Sequence, residues 1–171
     1  MAISIRKVTT ADSTALLNIY AHYILNTAAS FEVEVPALSE FTQRIDTISH
    51  TYPYLVCELE GKIIGYAYAS THRERAAYRF DIDVSVYLEE SARGKGIGTA
   101  LYTELFNLLS VQNYYTAYAG ITLPNDQSLG LHKKFGFSEI GTHHKTGHKF
   151  GKWHDVIWLE KALKDYSIPP E

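Results

Sequence analysis

A glycine-rich basic loop that runs directly into an apolar helix constrains this chain more than any other stretch. Residues 91–106 read SARGKGIGTALYTELF, in which Gly94, Gly96 and Gly98 stand at every second position. A helix N-terminus has unpaired N–H groups and about half a positive charge, and glycines let the backbone approach a ligand closely. The loop therefore indicates a phosphate site. A plain strand-to-helix connection is the alternative, because the GxxxxGK[ST] motif of P-loops is absent.

Length and composition bound the class of protein. A chain of 171 residues, 46% hydrophobic and 20% charged, is typical of one globular domain, and a net charge of −3 argues against general nucleic-acid binding. The single cysteine, Cys57, forms no intramolecular disulfide, which is typical of a reducing compartment. No apolar stretch near Met1 suits a signal peptide or a membrane helix. We expect a cytoplasmic protein with a single domain over residues 1–165 and a loose tail over 166–171.

Hydrophobic periodicity predicts an α/β chain with the element order β-α-α-β-β-β-α-β-α-β-β. Alternation such as ISIRKV predicts strands, and apolar residues at spacings of three and four, such as Leu16, Ile19 and Tyr20, predict helices. Two strands around Gly61 form a predicted hairpin. The last two strands, FSEIGTHHK and KWHDVIWLEK, close the chain. This order predicts a mixed sheet with helices on its faces.

The strand before the glycine loop carries a pair of carboxylates. Its period of two directs Ile82 and Val84 to one face and Asp81 and Asp83 to the other. At a rise of about 3.3 Å per residue the two carboxylates lie roughly 7 Å apart. Burial and a like-charged neighbour both raise a carboxyl pKa toward the range of a general base. A solvated strand face is the alternative.

A second polar cluster lies in the stretch LPNDQSLGLHKKFGF. Asn125 and Ser128 fall in the first turn of a short helix, and His132 follows Ser128 at i+4 on the same side. These residues are candidates for ligand binding or catalysis. The alternative is an ordinary helix cap with a surface histidine.

Four histidines near the end of the chain raise the question of a metal site. They lie across two predicted strands and a glycine turn, and neither an HExxH helix nor a Cys/His set at zinc spacing is present. We therefore expect no metal there. The residues concerned are His143, His144, His148 and His154.

Taken together, these motifs resemble the GNAT superfamily of N-acetyltransferases. The superfamily pattern [QR]-x-x-G-x-[GA] is matched by Arg93, Gly94, Lys95, Gly96, Ile97 and Gly98. The pattern N-x-x-[SA]-x-x-[LY]-[YH]-x-x-x-G-F is matched by Asn125, Ser128, Leu131, His132, Gly136 and Phe137. Stretches such as NTAASFEVE and FGKWHDVIWLEKAL resemble the branch that contains the phosphinothricin and methionine sulfoximine N-acetyltransferases. The resemblance implies the GNAT fold, in which two central strands splay apart.

The resemblance also implies acetyl-CoA as the co-substrate, without a metal. The N–H groups of the loop from Gly94 to Thr99 would hold its pyrophosphate, with positive charge from Arg93 and Lys95. Backbone groups of the fourth strand would pair with the pantetheine, and residues of the short helix would lie along it. The cofactor-binding residues implied are Val86, Tyr87, Leu88, Arg93, Gly94, Lys95, Gly96, Ile97, Gly98, Thr99, Asn125, Ser128 and Lys134.

For catalysis, the resemblance implies Asp83 as the general base and His132 as the acid that protonates the departing CoA thiolate. The branch usually has glutamate where this chain has Asp83, and a water could bridge the shorter reach. Histidine can act as an acid near neutral pH. The substrate-binding residues implied are Phe31, Arg73, Arg75, Ala76, Ala77 and Tyr78. The alternative for the two arginines is that they are solvated loop charges.

The resulting hypothesis is acetylation of the α-amine of a small amino acid analogue such as phosphinothricin, methionine sulfoximine or methionine sulfone. One alternative is a peptide or protein N-terminal acetyltransferase. Another is an acyl-CoA-binding module without catalysis. We also expect a homodimer, since the last strand carries Trp153 and Trp158 and would need cover at a sheet edge.

Overall fold

The computed structural model describes residues 3–170, and the order of its elements confirms the predicted order. Three short 3₁₀ turns lie at Thr10–Asp12, Ala76–Tyr78 and Glu90–Ala92. The helices are α1 (Ser13–Asn26), α2 (Leu38–Thr51), α3 (Ile97–Ser110) and α4 (Asp126–Lys134). The strands are β1 (Ile3–Lys7), β2 (Tyr54–Leu59), β3 (Lys62–Thr71), β4 (Asp81–Leu88), β5 (Thr116–Thr122), β6 (Ser138–Lys149) and β7 (Lys152–Ala162).

All seven strands belong to one mixed sheet in the order β1-β2-β3-β4-β5-β7-β6. β4 and β5 run parallel, whereas β5 and β7 run antiparallel. The ladder between β4 and β5 has three pairs, from Asp81–Thr116 to Asp83–Tyr118, although β4 continues to Leu88. This fold is the α/β mixed sheet that the sequence predicts.

The described chain groups into two compact units. The first contains residues 3–21, 36–70 and 84–113, and the second contains residues 22–35, 71–83 and 114–170. Each unit collects three separate stretches of chain. The prediction of a single domain stays a prediction.

In the first unit, α3 packs against β2 and supplies much of the apolar interior. Leu101, Leu105 and Leu109 are fully buried at helical spacing, as expected for a helix that covers a sheet. Val56 and Cys57 of β2 are equally buried. This packing fixes the start of α3, where the glycine loop enters the helix.

In the second unit, β4 begins later than its sequence suggests. Alternation predicts a strand from Tyr78 to Glu90, but the residues before Asp81 form a 3₁₀ turn. The Tyr78 N–H donates to the Arg75 carbonyl over 2.9 Å, so this backbone is satisfied locally instead of in a ladder. Within β4 the alternation is as predicted, because Ile82 is buried and Asp83 is half-buried.

The position of β7 differs from the prediction. We expected this strand at a sheet edge, but it lies between β5 and β6, so that β6 is the edge strand. Pairing on both sides explains why Val156, Ile157 and Leu159 of β7 are buried. Trp153, next to the β6–β7 turn, remains 60% exposed.

Two hydrogen bonds link the end of the chain to the region where β5 begins. The Tyr115 hydroxyl donates to the Ile168 carbonyl over 2.7 Å, and the hydroxyls of Thr116 and Tyr166 lie 3.0 Å apart. The segment after β7 is therefore held against the start of β5. Among residues 3–170, no helix is long and apolar enough to cross a membrane.

Candidate active site

The centre of the candidate site is a carboxylate–imidazole pair that joins β4 to the residue after β3. His72 Nδ1–H donates to Asp83 Oδ1 over 2.6 Å. The His72 side chain is 11% exposed and that of Asp83 is 31% exposed. Asp83 therefore reaches solvent more readily than its partner does.

Three aromatic rings surround the His72 imidazole. The Tyr118 ring stacks on it with centroids 4.2 Å apart, and the edges of Tyr78 and Trp158 approach it at 6.3 and 6.1 Å. These rings come from the 3₁₀ turn, β5 and β7. The imidazole is thus held in one orientation by packing from three elements.

Arg73 completes this cluster. Its Nε–H donates to His72 Nε2 over 3.4 Å, and its guanidinium lies 5.5 Å from the centre of the Tyr78 ring. The two ring nitrogens of His72 thus face different groups: Nε2 lies within hydrogen-bond distance of Arg73, and Nδ1 faces the Asp83 carboxylate.

The pKa of Asp83 is raised by burial, as the sequence analysis anticipates. The His72 hydrogen bond and the charges of His72 and Arg73 oppose this shift. We expected the negative charge of Asp81 to raise the pKa of Asp83 further. The neighbour that shifts this pKa most is instead His72, which lowers it. Sequence analysis missed His72, and the only signal for it was its place directly before the candidate Arg73.

A second cluster lies at the start of α4. The Asn125 side chain accepts the Ser128 N–H over 3.1 Å and so caps the helix, as its position predicts. His132 Nδ1–H donates to the Ser128 carbonyl over 2.7 Å, and the Ser128 hydroxyl lies 3.4 Å from the same nitrogen. His132 is only 3% exposed, so it is not the surface histidine of the alternative interpretation.

Burial lowers the pKa of His132. When the His132 ring is neutral and its Nδ1–H donates to a carbonyl, Nε2 is the nitrogen that can accept a proton. Burial therefore favours the neutral ring, whereas the general-acid role that the resemblance implies for His132 uses the protonated ring, and that role stays a prediction.

The glycine loop has the backbone that its sequence suggests. Gly94 and Gly96 have φ values of +71° and +79°, in the left-handed region that favours glycine. Gly96 caps α3, and a Cβ built at either glycine would meet no protein atom within 4 Å. The loop thus leaves open space at the N-terminus of a 14-residue helix, which fits a phosphate group.

The segment that carries Phe31 is attached to the β6–β7 hairpin. Lys149, which is buried, donates from Nζ to the Ser30 carbonyl over 2.6 Å. A Cβ at Gly147 would collide with the Phe31 ring, so the two residues are in close contact. The Phe31 side chain is still 40% exposed, as a pocket wall should be.

A comparison with known protein families decides which family the chain belongs to. A family model described as an acetyltransferase (GNAT) domain matches residues 5–158. The chain belongs to the GNAT acetyltransferase family. It is therefore an acyltransferase.

Similar GNAT acetyltransferases extend over nearly the whole chain. An N-acetyltransferase of Streptomyces griseus is 42% identical, with 89% of this chain and 82% of that protein covered. The L-methionine sulfoximine/L-methionine sulfone acetyltransferase of Pseudomonas aeruginosa is 32% identical, with 99% and 100% covered. A phosphinothricin acetyltransferase of Sinorhizobium meliloti, crystallised with acetyl-CoA, is 37% identical with a TM-score of 0.96, over 100% of this chain and 94% of that one.

The other predicted residues of this acetyltransferase lie on elements already described. Val86, Tyr87 and Leu88 form the half-buried end of β4, and Lys134 is the exposed last residue of α4. The remaining loop residues keep the predicted order at the start of α3, namely Arg93, Lys95, Ile97, Gly98 and Thr99. The exposed Arg75, Ala76 and Ala77 lie at the 3₁₀ turn that also carries Tyr78.

The four histidines considered for a metal site serve other contacts. His144 Nδ1–H donates to Asp155 over 3.0 Å, and His154 Nε2–H donates to the Lys149 carbonyl over 3.0 Å. The His148 ring lies 5.1 Å from that of Trp153, and the His143 ring lies 6.3 Å from that of Trp158. Within residues 3–170, no three His, Cys, Asp or Glu side chains are grouped so that they could hold a metal ion.

Proposed function

We propose that this enzyme transfers the acetyl group of acetyl-CoA to the α-amine of a small amino acid that carries a phosphinate or an oxidised sulfur. Phosphinothricin, methionine sulfoximine and methionine sulfone are the candidate substrates. The observation that carries the proposal is the half-buried Asp83 in one cluster with Arg73 and Tyr78. The named activities of the similar proteins support it. We place this activity in the cytoplasm, in keeping with the single cysteine.

The residues of the glycine loop would hold acetyl-CoA. Gly94 and Gly96 have positive φ at the start of α3, a Cβ on either residue would meet open space, and Lys95 adds an exposed positive charge. Backbone groups of Val86 and Leu88, beyond the last β4–β5 pair, would bind the pantetheine. Asn125, Ser128 and Lys134 would lie along the same molecule. When bound, acetyl-CoA supplies the thioester that is attacked.

Asp83 would act as the general base. Its carboxylate accepts the proton of the substrate ammonium, directly or through one water, and the free amine attacks the thioester carbonyl. A C–N bond forms, the C–S bond breaks, and the sulfur leaves as a thiolate that then takes a proton. Strand N–H groups would stabilise the oxyanion. Orientation of amine and carbonyl supplies a further share of the rate.

The acidic end of the substrate would be bound by arginine. A planar guanidinium forms two parallel hydrogen bonds to a carboxylate or a phosphinate. Arg73 and Arg75 both precede the 3₁₀ turn that carries Ala76, Ala77 and Tyr78. Phe31 would form an apolar wall of the same site.

A thiol-release assay with acetyl-CoA tests this proposal. The amine panel contains phosphinothricin, methionine sulfoximine, methionine sulfone, methionine and short peptides. We expect the highest kcat/KM for the phosphinate and oxidised-sulfur compounds. A preference for peptides would instead support an N-terminal acetyltransferase. Acetyl-CoA binding without thiol release for any amine would support a non-catalytic acyl-CoA-binding module.

Replacement of the arginines tests the substrate assignment. If Arg73 or Arg75 binds the acidic group, alanine at that position lowers kcat/KM for phosphinothricin. The loss of transition-state stabilisation should be about 1.5–3 kcal/mol, the size of a charge-assisted hydrogen bond. An amine without the acidic group should be nearly indifferent. Arg79→Ala is the matched control, since Arg79 stacks on Phe80, 4.3 Å from the ring centre. Equal losses for all amines would show that the arginines are structural.

We also propose that the enzyme is a homodimer. β7 is not an edge strand, so support for the proposal comes from exposed side chains of β6 and the β6–β7 turn. Trp153, Phe150 and Ile140 are all more than half exposed there. Static light scattering at micromolar concentration should give about twice the chain mass. A mass equal to that of one chain would contradict the proposal.

A further inference from the structure

The hydrogen bond between His72 and Asp83 is the contact from which a further role follows. Its length of 2.6 Å is typical of a bond to a charged group. His72 binds Oδ1, and among residues 3–170 the Oδ2 atom of Asp83 has no hydrogen-bond partner. Oδ2 is therefore the oxygen that can accept a proton from a substrate.

The imidazole is well suited to hold a carboxylate in place. Tyr118 covers one face of the ring, and the edges of Tyr78 and Trp158 approach it from other directions. A rotation of His72 would break these contacts. Asp83 is thereby attached to a ring whose own orientation is fixed by packing.

Asp83 needs such a partner more than a longer carboxylate would. Aspartate has a shorter side chain than glutamate, and burial favours its neutral form, which cannot accept a proton. The charged or titratable groups next to the pair are Arg73, Tyr78 of the 3₁₀ turn and Tyr118 on β5, and Asp81 lies two residues before Asp83 on β4. Trp158 on β7 is neutral. His72 is the group of this set that donates a hydrogen bond to Asp83.

We propose that His72 is a positioning residue for acetyl transfer: its Nδ1–H holds the Asp83 carboxylate in the ionised form and in the orientation in which Oδ2 accepts the amine proton. This role rests on the proposed function. His72 acts through Asp83 and is not itself the proton acceptor.

Two substitutions separate the hydrogen bond from the packing. His72→Phe keeps an aromatic ring between Tyr118 and Trp158 but has no donor, whereas His72→Asn keeps an N–H close to the place of Nδ1 and cannot take up a proton. His143→Phe is the control, because His143 also lies beside Trp158 but does not bind Asp83. Thermal unfolding of each full-length variant shows whether it is folded.

The first readout is the pH dependence of kcat/KM for the best amine of the panel. Loss of a donor to the carboxylate favours its protonated form, so we expect the acidic limb to move to higher pH in His72→Phe. Activity near pH 7 should fall by roughly tenfold or more. His72→Asn should restore most of the activity and the position of the limb, and His143→Phe should resemble the wild type.

The second readout, the titration of the Asp83 carboxyl by ¹³C NMR, does not depend on turnover. Its midpoint should rise in His72→Phe and return in His72→Asn. If folded His72→Phe has the same acidic limb and the same Asp83 titration midpoint as the wild type, the inference is overturned. Equal loss of activity in both variants, without an acidic limb, would make His72 itself the base and also overturn it. If the midpoint rises from the wild type to His72→Phe but the wild type acetylates no amine of the panel, only the proposed function is overturned.

Discussion

Asp83→Asn is expected to lower kcat by about 10²–10⁴-fold at neutral pH, the range that general-base catalysis contributes. Asparagine has nearly the same shape but cannot accept the amine proton. The KM for acetyl-CoA should change little, since the loop that we propose to hold its phosphates is untouched. Initial rates of thiol release over a series of acetyl-CoA concentrations measure both quantities.

Asp81→Asn is the matched control for this substitution. Asp81 is two residues from Asp83 on the same strand and is also half-buried, but the bond to His72 is made by Asp83. We expect near wild-type kcat for Asp81→Asn. Comparable losses for both variants would indicate a general electrostatic effect of the strand, and full activity of Asp83→Asn would remove Asp83 from the mechanism.

The second large effect is expected at the glycine loop. Gly96→Ala should raise the KM for acetyl-CoA by roughly 10- to 100-fold, the equivalent of about one charge-assisted hydrogen bond. The alanine Cβ would occupy the space at the start of α3 in which we place the phosphate. The backbone at position 96 also has a φ of +79°, which strains any residue other than glycine. The KM for the amine should change far less. Steady-state kinetics with each substrate varied in turn measure this difference.

Gly61→Ala controls for backbone strain. Gly61 has a φ of +80°, and a Cβ there would also meet no atom within 4 Å, but it lies in the β2–β3 turn. Alanine should destabilise the protein by about 1 kcal/mol at either glycine. Only Gly96→Ala should weaken the binding of acetyl-CoA. If both substitutions raise the KM for acetyl-CoA alike, the cause is backbone strain and not the loss of a phosphate site at the glycine loop.

Local patterns predicted those parts of the fold that depend on neighbouring residues. Alternation along β4 put Ile82 in the interior and Asp83 on the other face, because successive side chains of a strand point to opposite faces. The helix cap, which the sequence offered as the alternative role of Asn125, is present. Ser128 and His132 are neighbours as predicted, because side chains at i and i+4 lie on the same side of a helix.

Features that depend on pairing between distant strands were missed. The bond from His72 to Asp83 joins the end of β3 to β4, and no periodicity reports where those two residues meet. The place of β7 between β5 and β6 is likewise a property of sheet order. The burial of His132 was also missed. The i+4 relation between Ser128 and His132 indicates which side of the helix the histidine occupies, but it does not indicate what covers that side.

The close contact between Phe31 and Gly147 has a consequence for how substrate preference could evolve. Any side chain at position 147 would displace the Phe31 ring, and Lys149 ties the neighbouring Ser30 to the same hairpin. The two positions are thus epistatic although they lie far apart in the chain. If Phe31 forms the wall that we propose, a lineage or a mutant library that enlarges it to admit bulkier amines would have to change the hairpin and the Phe31 segment together.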